Sequence, residues 1–130
     1  DGRSPGYFGY ATVVRNCSAV TGACMLVRRS VALEIGGFNE DLGVAYNDVD
    51  FCLRLREASY KVLCTPFAKL YHLESKTRPK YLDDMDSKQL TEFEKESAYI
   101  RKRHAAYFKD GDPYYNKALT LRIEDYSLRV

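Results

Sequence analysis

The chain has 130 residues, 45% of them hydrophobic and 29% charged, and 20 Lys and Arg against 18 Asp and Glu leave a formal net charge of +2. This length supports one soluble domain, which can bury roughly two-thirds of its unfolded surface without a disulfide or metal framework. The balance of charge excludes a general nucleic-acid binder, which needs a concentrated cationic excess, and the composition excludes a disordered chain. The longest apolar run, residues 23–27, is too short to cross a bilayer, and no basic stretch leads into an apolar one at the start. The chain opens on Asp1 and passes directly into Gly2, Ser4, Pro5 and Gly6, so it is expected to be a piece of a longer protein.

Residues 1–18 mix Gly, Tyr and polar side chains without a sustained period and read as an irregular lead-in. Residues 19–27 are almost wholly apolar and end in Arg28 and Arg29, which predicts a strand covered on both faces. Ser30 reads as the N-cap of a short helix carrying Leu33 and Ile35, and Gly36 and Gly37 end it. After a loop over 38–46, Asn47 reads as the N-cap of a helix over 48–59, with Asp50 adding a carboxylate to its first turn. Residues 61–65 and 67–72 predict two short strands separated at Pro66. The polar stretch 73–86, with Pro79, predicts a loop. Ser87 opens the longest helical pattern, 87–109, with Leu90, Phe93, Ser97, Ile100, His104 and Tyr107 at steps of three and four. Asp110, Gly111, Asp112 and Pro113 stop that helix, and a tyrosine-rich tail completes 110–130.

The fold class is α/β, a short mixed sheet with flanking helices. Cys17, Cys24, Cys52 and Cys64 show no C-x-x-C spacing, and three of them lie in apolar segments. They read as core thiols in a reducing compartment rather than as a disulfide or zinc framework.

Asp48 stands out on local grounds. Phe51, Cys52 and Leu55 follow it at i+3, i+4 and i+7, so its carboxylate is in line with the apolar stripe at the N-terminal end of the helix. There the partial positive charge of the helix start favours an ionised acid, as a general base requires. The competing reading is that Asp48 or Asp50 only stabilises the helix terminus. His72, at the end of a strand, has the chemistry of a metal ligand or an acid/base group, against the plainer reading of a hydrogen-bonded histidine. His104, among Arg101, Lys102 and Arg103, reads as structural. Three Asp-x-Asp triplets, at 48–50, 84–86 and 110–112, are too short to define a metal site by themselves. The 11 Tyr and 6 Phe offer stacking surfaces but do not choose a ligand.

Taken in order, several strings resemble one family. They are residues 20–29 (VTGACMLVRR), 36–40 (GGFNE), 46–55 (YNDVDFCLRL), Thr65 with Pro66, and 71–75 (YHLES). They resemble the C-terminal half of family 2 glycosyltransferases of the GT-A fold. Residues 112–116 (DPYYN) resemble the endings of bacterial members, including rhamnosyltransferases for cell-surface polysaccharides. The resemblance implies a partial GT-A fold lacking the N-terminal nucleotide-binding half, and an inverting transfer from a nucleotide-diphosphate sugar to a saccharide acceptor. It implies that Asp48 is the base, that Thr21, Gly22, Asn47 and Asp50 line the donor and acceptor side, and that His72 completes a Mg²⁺ or Mn²⁺ site. Ser75 and Arg78 would follow on a loop that closes over the diphosphate.

The nucleotide-binding half of the same chain is an implied partner, and so is the cytoplasmic, inner-membrane setting. The isolated piece is expected to be inactive. Asn47 departs from the glutamate usual at its position, and all three Asp-x-Asp triplets follow the Thr-Gly pair instead of preceding it. The rival expectation is a non-catalytic binding or assembly module, with the tail and long helix packing on a partner or a second copy in a homo-oligomer.

Overall fold

The computed structural model describes residues 4–43, 45–71, 85–122 and 126–129. In chain order these contain a 3₁₀ turn at Tyr7–Gly9, β1 (Arg15–Asn16), a 3₁₀ turn at Gly22–Cys24, α1 (Arg29–Glu34), α2 (Asn47–Glu57), β2 (Leu63–Cys64), α3 (Ser87–Arg103) and α4 (Ala105–Asp110). The result is a small mixed α/β domain whose sheet, among the described residues, has two strands. β1 and β2 are antiparallel, with Arg15 opposite Cys64 and Asn16 opposite Leu63, and the Cys17 N–H donates to Val62 O at 3.0 Å just beyond the pair.

The centre of the core is the buried face of α2. Phe51, Cys52 and Leu55 meet Cys17 and Val62, and Val20, Met25, Val27, Val31 and Ile35 pack around them half-buried. These are the positions at i+3, i+4 and i+7 from Asp48. Burying side chains of this size contributes about 1.5–3 kcal/mol each. Desolvation raises the pKa of the Cys17 and Cys52 thiols, so both are neutral core groups near pH 7.

Two helices end in the same way. At α1, Gly37 N–H donates to Ala32 O at 2.8 Å and Gly36 N–H to Leu33 O at 3.1 Å, with Gly36 at φ 85°. The predicted glycine stop is therefore a Schellman motif. At α2 the same pair of bonds runs from Tyr60 to Leu55 and from Ser59 to Arg56, but here the left-handed residue is Ser59, at φ 67°.

Other expectations are corrected. Residues 19–27 do not form a strand: the Thr21 side chain accepts from Ala23 N–H at 3.3 Å and turns the chain into the 3₁₀ segment, and Leu26 is fully exposed. A threonine hydroxyl competes with a ladder for backbone donors, and an apolar run does not specify a pairing partner. Residues 67–71 also lack a strand. The chain turns at Pro66 and Phe67, and Phe67, Leu70 and Tyr71 are exposed, with no strand beside them among the described residues.

Two helix caps shift by a residue or more. Arg28 takes the cap position of α1 in place of Ser30, and Tyr46 takes that of α2 in place of Asn47. α3 opens at Ser87 as expected, and Asp86 caps it, accepting from Gln89 N–H while Gln89 Oε1 accepts from Asp86 N–H. That reciprocal pair satisfies two helix-end donors at once. The single helix predicted over 87–109 breaks at His104, whose φ of −114° and ψ of 38° separate α3 from α4. No helix among the described residues is long and apolar enough to cross a membrane.

Candidate active site at the head of α2

Asp48 is the second residue of α2 and is half-buried. Its Oδ2 accepts from the Gly22 main-chain N–H at 2.8 Å, and its Oδ1 accepts from Val49 N–H at 2.8 Å. A carboxylate offers about four acceptor positions, so two remain for another donor. The approach is close: a Cβ at Gly22 would stand 3.4 Å from Asp48 Cβ and 3.7 Å from Oδ2, in ordinary contact with both. The structure thus brings Gly22, Thr21 and Asp48 into one place, with exposed Asn47 beside them at the first helical position.

The segment that delivers Asp48 is held by α3. Glu96, buried on that helix, accepts the Ala45 N–H on Oε2 at 2.6 Å. Tyr46 adopts a left-handed conformation at φ 63°, uncommon for a residue with a side chain, and its ring packs 5.5 Å from Phe93. Its carbonyl then accepts Asp50 N–H at 2.8 Å to start α2.

Asp50 faces the other way. Its side chain is wholly buried, with Oδ2 accepting Arg54 Nε at 2.7 Å and Oδ1 lying 2.9 Å from His104 Nε2. His104 Nδ1 lies 3.0 Å from Glu57 Oε1, and Glu57 also takes a two-pronged contact from Arg103, at 3.1 and 2.7 Å. Both ring nitrogens of His104 therefore face carboxylate oxygens. Arg54 carries the chain of contacts onward, donating from Nη1 to Ile35 O and from Nη2 to Gly37 O, each at 2.7 Å. Asp50 is a structural anchor here, locking α2 to the end of α1 and to the kink after α3.

Glu57 illustrates competing effects. Burial pushes its pKa up, but Arg103 and His104 outweigh that and hold the carboxyl below its ordinary value.

His72, Ser75 and Arg78 lie outside the described residues. Among the described residues no group of three or more His, Cys, Asp or Glu converges to hold a metal ion. The two described Asp-x-Asp triplets show why: Asp48 and Asp50 diverge on the helix, and Asp112 Oδ1 is occupied by Ser18 Oγ at 2.7 Å and Tyr114 N–H at 2.8 Å. Sequence reasoning missed Arg54, Glu57 and Glu96, and it gave His104 no partners. The i, i+4 spacing of Asp50 and Arg54 was a usable signal. Nothing local marks the contacts of His104.

No family model matches the chain, and no solved structure matches it. Among curated proteins it is similar to the uncharacterized protein y4gI of Sinorhizobium fredii (strain NBRC 101917 / NGR234), with 38% identity over 128 residues. That match covers 98% of this chain and 14% of the relative. It is also similar to the O-antigen biosynthesis protein RfbC of Myxococcus xanthus, 37% identical over 122 residues, which is 94% of this chain and 9% of the relative. The chain therefore spans only a small part of the length of either curated relative.

Proposed function

We propose that this chain is the acceptor-side, C-terminal portion of an inverting family 2 glycosyltransferase of the GT-A fold, acting in the biosynthesis of a bacterial surface polysaccharide. The likeness to an O-antigen biosynthesis protein supports the pathway. The observation that carries the chemistry is the 2.8 Å bond from Gly22 N–H to Asp48 Oδ2, which fixes a partly exposed carboxylate at a helix N-terminus beside a residue with no side chain.

In this reading Asp48 takes the proton of an acceptor hydroxyl as that oxygen attacks the anomeric carbon of a nucleotide-diphosphate sugar. The new C–O bond forms as the bond to the diphosphate breaks. The nucleoside diphosphate leaves, and configuration at the carbon inverts. The backbone donors on Asp48 orient it, and Glu96 and the Asp50 anchor keep the head of α2 in place. A divalent ion and the nucleotide-binding half belong to the whole enzyme in this proposal, as does a cytoplasmic site of action at the inner membrane face.

The test is Asp48→Asn in the full-length protein that carries this segment. Transfer should fall by about 10²–10⁴-fold with donor binding retained. Turnover within a few-fold of the parent would remove Asp48 from the role.

A second reading, a docking module, is favoured by the exposure of Leu26, Phe67 and Tyr71. It predicts that Asp48→Asn leaves transfer intact while polar substitutions at those three residues disrupt an assembly, measured by light scattering.

A further inference from the structure

We propose that the cleft between the lead-in and the tail binds an anionic saccharide, with a pyranose ring against tyrosine and its acid group on Arg15. Two cavities of about 470 and 890 Å³ meet here, and Tyr10, Arg15, Tyr114, Tyr115 and Asn116 line both. The volumes suit a small ligand of one to a few rings. The larger cavity extends to Ala19 and Val49, so the cleft runs from the tail to the head of the helix that bears Asp48. The proposal rests on the glycosyltransferase reading for one choice only, that the ligand is a sugar.

The ligand's charge follows from Arg15. Its guanidinium stands 4.9 Å over the Tyr10 ring, and its Nε donates to Tyr10 O at 3.3 Å. These contacts fix the plane of the group, while its two terminal nitrogens have no protein partner among the described residues. A held guanidinium with a vacant fork is suited to a carboxylate or phosphate oxygen pair. The surroundings agree in sign: Arg15, Lys109, Lys117 and Arg129 line the larger cavity against Asp110 and Asp112. Asp112 is already occupied by Ser18 and Tyr114 N–H.

The aromatic wall is equally fixed. Tyr115 donates its hydroxyl to Thr120 O at 2.8 Å and packs 5.9 Å from the Tyr126 ring, and Tyr114 lies 5.0 Å from the Arg56 guanidinium. A wall that is ordered before the ligand arrives adds little ordering cost on binding. Tyrosine presents an apolar ring with a polar tip, matching the C–H face and hydroxyl rim of a pyranose.

The experiment is an amide NMR titration of the ¹⁵N-labelled chain with trigalacturonate, glucose 6-phosphate and maltotriose, each to about 20 mM, a range that detects millimolar affinity. An anionic sugar should shift the amides of Tyr10, Arg15, Tyr114 and Asn116, and Arg15→Gln should weaken it about tenfold. Tighter binding of trigalacturonate assigns a uronate, and tighter binding of glucose 6-phosphate assigns a phosphosugar. Equal binding of maltotriose overturns the role of Arg15, and shifts confined to Gly22 and Asp48 overturn the cleft. Silence with all three probes also overturns it and leaves the Asp48→Asn transfer assay to judge the enzyme reading separately. Should Arg15→Gln unfold, the shift map of the parent chain and the same titration of Tyr10→Leu decide the matter.

Discussion

The main-chain N–H of Gly22 donates to Asp48 Oδ2 at 2.8 Å across 26 residues of sequence, and no side chain stands between them. A glycine in a turn is commonly read as conformational relief, but Gly22 is not one of the positive-φ glycines of this chain. What the position requires is proximity. A Cβ here would already touch Asp48, so a side chain branched at Cβ is expected to crowd the carboxylate.

Substitution at this position should therefore be graded by size. A methyl at Gly22 meets Asp48 Cβ at 3.4 Å, at the edge of ordinary contact, so Gly22→Ala should leave stability within about 0.5 kcal/mol of the parent. Gly22→Val should cost about 1–3 kcal/mol by forcing Asp48 and the turn apart. Urea unfolding of the three proteins checks this, and indistinguishable midpoints for Ala and Val would show that the turn gives way freely.

The buried contact between Asp50 and His104 should behave as a unit. Removing one partner leaves a buried polar atom of the other unpaired, although Asp50 keeps Arg54 and His104 keeps Glu57, and breaking a buried pair costs up to roughly 3–5 kcal/mol. Asp50→Ala and His104→Ala should each lie near that range in thermal or urea unfolding. Because each removes the same contact, the double variant should fall short of their sum by about 0.5–3 kcal/mol. Simple additivity would mean that the two side chains stabilise the chain independently.

Acid should act through Glu57. Its carboxyl titrates below its ordinary value in the folded chain, so the unfolded chain binds the proton first as pH falls. Its contribution is present above the unfolded pKa and is lost as pH drops through the folded one. Stability of the parent should therefore decline below the ordinary carboxylate range more steeply than that of Glu57→Gln. Parallel stability curves for the two proteins between neutral and acid pH would contradict the assignment.

What the sequence made legible was local. Gly36 and Gly37 announced the end of α1 because a left-handed turn has few substitutes, and Phe51, Cys52 and Leu55 announced the buried face of α2 because their spacing is the helical period. The prediction of a strand over 19–27 failed because apolar character does not specify a pairing partner, and part of this run, Leu26 included, is exposed. Thr21 decided the conformation with one hydroxyl. The long helix was read through its break because His104 fits the period of the helix it ends. Its partners Asp50 and Glu57 lie 54 and 47 residues away in the chain, and no periodicity reaches that far. At the candidate site Asp48 was visible from its stripe, whereas the support from Glu96 to Ala45, 51 residues away, was not.

Arg56 ties segments that lie far apart in the sequence. Its guanidinium lies 5.0 Å from the rings of both Tyr107 and Tyr114, and it donates to Ser18 Oγ at 2.7 Å, which in turn bonds Asp112 across 94 residues. Contacts of such long range carry a loop-closure cost that local helix contacts do not. Both walls of the tyrosine cleft thus hang on one side chain of α2, and losing Arg56 would loosen the lead-in and the tail together.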